Sequence, residues 1–284
     1  MSVGVRSKGP TERLLAIEAL IVFAFLYAPI LVLVAFSFNE NDNVGIWTRP
    51  SFKWYGEMFQ NDAVMGALRN SLIVAAISTV VATILGTATA VALERHRFVG
   101  KRTFDGLTYL PVIIPDVTMA VMMLLFFAAA FRMVNGLGVF HFQFGLGTIS
   151  LSHIAFSISF VAIVVRARLG QLDPSLEEAA ADLYASRWMA FRKVTLPLIA
   201  PAVVGGALLA LTVSLDDVVV TSFVAGPGAT TLPVYVFGLV RRGVTPLINA
   251  VSVLMLGASM VLVLVSLVFQ RDRGARARSD AGGA

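Results

Sequence analysis

The 284-residue chain has no cysteine. That absence removes disulfides, thiolate metal sites, cysteine nucleophiles and lipid attachment through a thiol in one step. Charge is scarce too, at 14% of residues, where soluble domains carry about 25%. No GxxxxGK[ST] segment occurs, so the chain cannot cradle ATP phosphates in that manner. The three histidines, His96, His141 and His153, lack metal-ligand spacing and read as structural or solvated. No nucleophile–base arrangement is visible, which argues against an intramembrane hydrolase or acyltransferase. No cofactor, metal or catalytic residue is therefore expected in this chain.

What remains is apolar: 57% of residues are hydrophobic and the mean hydropathy is +0.83. Almost all of them fall in long runs, leaving no polar remainder large enough to fold alone, so a single membrane domain over residues 1–284 is expected. A spanning helix needs about 20 apolar residues. Six runs qualify: 14–38, 68–93, 107–131, 149–165, 198–224 and 248–269. The first follows Arg6, Lys8 and Arg13 like a signal peptide, but it outruns an h-region of about 7–15 residues and reads as a retained helix. The expected fold class is an all-α integral membrane protein with six transmembrane helices.

Positive residues stay on the cytoplasmic side of a membrane. With both termini cytoplasmic, sixteen Lys and Arg lie inside and six outside, which favours that orientation. The net charge of +5 and pI near 9.9 come from residues flanking the apolar runs, so they read as orientation signals and not as a nucleic-acid surface. The first external loop, residues 39–67, carries Trp47, Phe52, Trp54, Tyr55 and Phe59, which suit either an interfacial helix or a packed cap over the helix ends. After Gln270, four arginines among Gly, Ala and Ser predict a basic disordered tail, 270–284, near anionic lipid headgroups.

The longest cytoplasmic stretch, 166–197, lies between the fourth and fifth runs. Asp173-Pro174-Ser175 reads as a helix start, with Glu177 and Glu178 where the helix dipole favours acids. A short helix to Tyr184, a second from Ser186-Arg187, and Leu196-Pro197 leading into the fifth run complete the stretch.

Glu178-Ala179-Ala180, three residues, Tyr184, nine residues and then Val194-Thr195-Leu196-Pro197 resembles the EAA loop of bacterial ABC-importer permeases. The resemblance implies a type I ABC-importer permease architecture in the bacterial cytoplasmic membrane, with this loop docking on the ATPase subunit. Glu178, Ala179 and Ala180 would form the docking face; Arg187, Arg192 and Lys193 would flank it, and Leu196 and Pro197 would lead into the membrane. One position departs: the family's turn glycine is Tyr184 here, which must stay right-handed or accept strain.

Further segments, FLYAPILVLVAFSFN (25–39), WYGEMFQND (54–62), LPVIIPD (110–116) and 214–250, are similar to spermidine/putrescine permeases. The implied partners are a cytoplasmic ATPase dimer, a second, related permease completing the pathway, an external substrate-binding protein and membrane lipid. Alternatives are an ABC-importer permease for another small solute, or an ion-coupled secondary carrier.

Ionised carboxylates at bilayer depth are costly, by about 2.5–3.5 kcal/mol on insertion scales, and so invite a functional explanation. Asp116, Asp216 and Asp217 are the substrate-pathway candidates, because carboxylates offset the dehydration of a polyamine's ammonium groups. Adjacent helical residues point about 100° apart, so only one of Asp216 and Asp217 can face a lumen squarely. Pro111 and Pro115 remove helix hydrogen bonds and should kink or break the third run, a candidate gate. Small residues, Gly86, Ala88 and Ala90 in the second run and Gly205-Gly206 in the fifth, should allow close helix packing.

Overall fold

A computed structural model describes residues 10–138, 141–243 and 245–281. Helices dominate, and the only β feature among the described residues is an isolated antiparallel bridge between Asn39 and Pro50. Among the described residues, six helices are long and apolar enough to cross a membrane: Leu14–Ser37, Asp62–Arg95, Asp116–Asn135, Leu146–Leu169, Arg187–Asp216 and Pro246–Leu264. The chain divides into two compact units where the sequence predicts one domain.

The first unit comprises the described residues of Met1–Asn61 with Leu239–Leu256. Beyond Arg13, α1 (Pro10–Ser37) is apolar on every face save for Glu18, and none of its hydrophobic window is buried. Such a helix needs lipid or another chain to cover it. The following loop folds around Asn39, which is almost fully buried. The Asn39 amide donates to the Ile46 carbonyl at 2.7 Å, and its side-chain oxygen accepts from the Thr48 N–H at 3.0 Å. The Trp54 indole N–H donates to the Asn39 carbonyl at 2.8 Å and fixes α2 (Lys53–Gln60). The aromatic loop is thus both a short helix and a packed cap: Trp54 and Met58 turn inward, while Phe52 and Phe59 stay exposed.

The second unit, Asp62–Gly238 with Gly257–Ala284, is built around α3 (Asp62–Arg95), α6 (Leu146–Leu169) and α9 (Leu196–Asp216). Small residues let these backbones approach. Gly86 of α3 and Gly206 of α9 both face Val161 of α6: a Cβ on Gly86 would lie 2.7 Å from that of Val161, and one on Gly206 would lie 3.2 Å from its Cα. A core of Ala90, Val161, Val165, Leu169, Ile199 and Ala210 closes this three-helix contact.

The third and fifth runs are each broken, and the basic end differs from its expectation. The third run, 107–131, is two helices, α4 (Lys101–Ile113) and α5 (Asp116–Asn135). Pro115 drives its predecessor Ile114 extended (ψ 133°) and ends α4, whereas Pro111 is accommodated within the last turn. The fifth run, 198–224, breaks after Asp216, and α10 (Val219–Val224) follows an extended Asp217 (ψ 123°). The basic end is not a coil: α12 runs from Pro246 to Ala281, its sequence there rich in Arg and Ala and free of proline. Residues 282–284 of that tail lie outside the described residues.

Candidate functional site

The two broken helices meet. Val220 and Val224 of α10 pack with Met119, Ala120 and Phe127 of α5 and with Ile149 and Phe156 of α6. Beside this contact opens a cleft of about 350 Å³ whose lining includes Pro111, Asp116, Asp216 and Asp217, with Phe156 and Phe160 as aromatic walls. All three carboxylates singled out in the sequence therefore border one space. Asp116 is the first residue of α5 and Asp216 the last of α9; both are exposed, and neither side chain has a partner among the described residues.

Asp217 is different. Its side chain is 11% exposed and its oxygens accept the Val220 N–H at 3.2 Å, the Thr221 N–H at 2.7 Å and the Thr221 hydroxyl at 2.7 Å. Those bonds cap α10 as an N-terminal aspartate does. His153 of α6, fully buried, places Nε2 3.3 Å from the same carboxylate and 3.0 Å from Thr221 Oγ1. Its Nδ1 meets Ser214 Oγ at 2.7 Å, and Ser214 in turn meets Ser78 Oγ at 3.0 Å. Of the adjacent aspartates, one faces outward and the other is tied to the bundle.

The segment after α10 is pinned from two helices. Asn70 of α3 donates to the Gly228 and Thr230 carbonyls, each at 3.0 Å. Ser71 Oγ accepts the Leu232 N–H at 2.8 Å, and Thr148 of α6 donates to the Val224 carbonyl at 2.7 Å. Gly226 passes so close to the Phe144 carbonyl that a Cβ there would collide with it.

At the other end of α6 lies the loop 166–197. Asp173 accepts the Ser175 N–H at 2.9 Å, which starts α7 (Ser175–Asp182) and holds the exposed Asp173 carboxyl below its ordinary pKa. Glu178 and Ala179 are exposed and Ala180 is half-buried. Tyr184 adopts φ 58°, the left-handed conformation of a glycine turn, with its side chain 98% exposed. The Ala185 N–H reaches the Ala180 carbonyl at 3.0 Å and the Tyr184 N–H reaches Ala181 at 2.9 Å, the paired bonds of a Schellman turn. Tyrosine accepts the strain. Arg187 opens α8 (Arg187–Ala190), capped by Ser186, and a π-helical turn, Phe191–Thr195, joins it to α9. Pro197, lacking an N–H, sits where that wider turn relaxes into α-helix next to Leu196.

Glu177 rather than Glu178 ties this loop to the bundle. Its carboxylate lies 3.1 Å from Arg95 Nε at the end of α3 and accepts the Thr195 hydroxyl at 2.9 Å. Arg166 of α6 bridges Glu94 of α3, at 3.1 Å, and Asp105 of α4.

The profile of the family described as "Binding-protein-dependent transport system inner membrane component" matches residues 82–275. The chain belongs to this family. This permease is 47% identical over 240 residues to the putrescine transport system permease protein PotI of Escherichia coli K12, covering 84% of each chain. It is 41% identical over 252 residues to the spermidine/putrescine transport system permease protein PotC of Haemophilus influenzae, covering 88% of this chain and 94% of that one. Its fold matches a chain from the crystal structure of a bacterial ABC transporter that imports alginate, with a TM-score of 0.75, 21% identity and 92% and 94% coverage. It also matches a chain of the MetNI methionine ABC transporter, with a TM-score of 0.60, 20% identity and 75% and 98% coverage. The permease is an integral, multi-pass transport component and not an enzyme.

Two contributors to the permease's site escape sequence reading. His153 offers no spacing signal, because Ser214, Asp217 and Thr221 lie more than 60 residues away in the chain. Glu177 reads only as a dipole-favoured acid, since its partner Arg95 is 82 residues distant. Among the described residues no group of His, Cys, Asp or Glu could hold a metal ion.

Proposed function

We propose that this chain is one of two related permease subunits of an ATP-driven polyamine importer in the bacterial cytoplasmic membrane. The observation that carries the reading is the cleft where Asp116 and Asp216 stand at two helix breaks, unpaired among the described residues, in a chain whose relatives are named putrescine and spermidine/putrescine permeases. Unpaired carboxylates compensate the dehydration of ammonium groups, and the Phe156 and Phe160 faces add cation–π attraction. Asp217 borders the same passage and holds its wall. Pro115 marks the break at which the third span hinges, with Pro111 in the last turn before it.

Six spans make half of a pathway, so a second permease completes it. An external binding protein delivers the substrate, and an ATPase dimer receives the exposed face of α7 at Glu178, Ala179 and Ala180. Sixteen of 22 basic residues fall inside when both termini are cytoplasmic, and the loop 166–197 is then on the ATPase side.

The test is uptake and polyamine-stimulated ATP hydrolysis by the reconstituted importer, comparing the parent with Asp216→Asn. Loss of both with the variant supports the reading; unchanged uptake removes the cleft from the pathway. Uptake driven by an ion gradient without any ATPase would make the chain a secondary carrier instead, and stimulation by another solute alone would reassign the substrate.

A further inference from the structure

A second cleft, of about 410 Å³, opens between the end of α3 and the loop that carries α7 and α8. Its place along the chain sets it at the membrane boundary: Val91 in its lining belongs to the apolar run 68–93, and Thr195 stands three residues before the run 198–224. Its charge is one-sided. Arg95, His96 and Arg97 line it from the end of α3 and Arg187 from α8, while Glu177 is the one acid among the described lining residues. Glu177 already answers Arg95 at 3.1 Å and the Thr195 hydroxyl at 2.9 Å. Arg97 and Arg187 are exposed, and neither side chain has a hydrogen-bond or ion-pair partner among the described residues. Two guanidinium groups are thus left over on two walls of one cleft.

Beside these cations the chain presents apolar surface. Arg97 leads into Phe98, 41% exposed, and Val99, fully exposed, before Gly100 turns the chain at φ 84° into the basic start of α4 at Lys101 and Arg102. On the other wall Trp188, also exposed, packs on the lining residue Phe191 with ring centroids 5.6 Å apart. Exposed apolar side chains interleaved with arginine at the end of a span suit the headgroup layer, where aromatic bodies meet acyl chains and cations meet phosphates. An acidic peptide would satisfy the arginines alone and leave Phe98 and Val99 uncovered.

We propose that this cleft holds the phosphate of an anionic phospholipid between Arg97 and Arg187, with the glycerol and acyl end over Phe98 and Val99. Guanidinium forks match phosphate oxygens two at a time. A headgroup bound there joins the end of α3 to α8, a second link beside the Arg95–Glu177 contact. Such binding requires a bilayer at this end of the bundle and does not depend on which solute is carried.

The test is lipid retention on this chain, read by native mass spectrometry of the permease purified with its partner subunits and titrated with phosphatidylglycerol or phosphatidylcholine at constant ionic strength. The parent should keep a phosphatidylglycerol molecule in preference to phosphatidylcholine. Arg97→Gln or Arg187→Gln should each weaken its retention roughly fivefold, and the two together about twenty-five-fold. Arg97→Lys/Arg187→Lys, with the charges kept, should retain most of it, and Val99→Ser should lower it through the acyl contact. Arg102→Gln, exposed and outside the cleft, should match the parent. Equal losses from Arg102→Gln and Arg97→Gln would reduce the effect to general surface charge and overturn the proposal. So would displacement of the lipid by millimolar inorganic phosphate together with indifference to Val99→Ser, the mark of a site for the free ion. Unchanged retention in the double glutamine variant also overturns it, and release of the ATPase subunit from that variant would then assign the arginines to a protein contact.

Discussion

Arg95 and Glu177 are joined across 82 residues of sequence by an N···O contact of 3.1 Å, and they connect the last turn of α3 to the first turn of α7. Both side chains are partly exposed, at 18% and 33%, so the pair adds less than about 1 kcal/mol to stability. Its value is directional, because any displacement of α7 pulls on the bundle through this contact and through Thr195.

Glu177→Gln should therefore leave expression and ATP hydrolysis near the parent's while uptake per ATP hydrolysed falls severalfold. The exchanged pair Arg95→Glu/Glu177→Arg should recover part of it. Paired measurement of uptake and phosphate release in proteoliposomes checks this, and a constant ratio in all three proteins would refute it.

Tyr184 carries the left-handed turn without glycine's freedom, a strain of about 1–2 kcal/mol. Its side chain is almost fully exposed, so removing it costs no internal packing. Tyr184→Gly should raise the thermal midpoint of the loop, measured by hydrogen exchange at Ala185, whose N–H closes the turn. Tyr184→Val, β-branched, should lower it.

Gly86 and Gly205 look alike in the sequence and differ in the fold. A methyl group on Gly86 would overlap Val161, whereas one on Gly205 would meet Val164 only at 4.0 Å. Gly86→Ala should destabilise the permease by about 1–3 kcal/mol through overpacking, and Gly205→Ala should be neutral within about 0.5 kcal/mol. Thermal unfolding in detergent separates them.

The Asp173 carboxyl is held below its ordinary 3.8 by the backbone and hydroxyl of Ser175. A depressed carboxyl contributes stability that is complete above the unfolded value and disappears as pH falls through the folded one. Protection of the Ser175 amide should therefore decline as the solution is acidified below about pH 4, and Asp173→Asn should flatten that dependence. Amide exchange of this segment across the acid range is the measurement.

The six spans were legible because a bilayer demands length and apolarity from each, and those are properties of contiguous residues. The break at Ile114 was legible for the same local reason, since Pro115 dictates its neighbour's conformation. The break after Asp216 was not. No proline or glycine stands there; the extended residue is held by Thr221 and by His153 from another helix, and no window of sequence contains both sides of that bond. The division of labour between Asp216 and Asp217 was foreseeable from helical geometry, but which of the two turns inward depends on that same distant histidine.

The chain from Val224 to Leu232 is fastened to Thr148, Asn70 and Ser71, and at Gly226 it runs too near the Phe144 carbonyl for any side chain. It resembles a bolted hatch more than a hinged flap. Any displacement of this segment has to carry α3 and α6 with it or break those bonds, so its stiffness belongs to the bundle as a whole and not to the few residues at its rim.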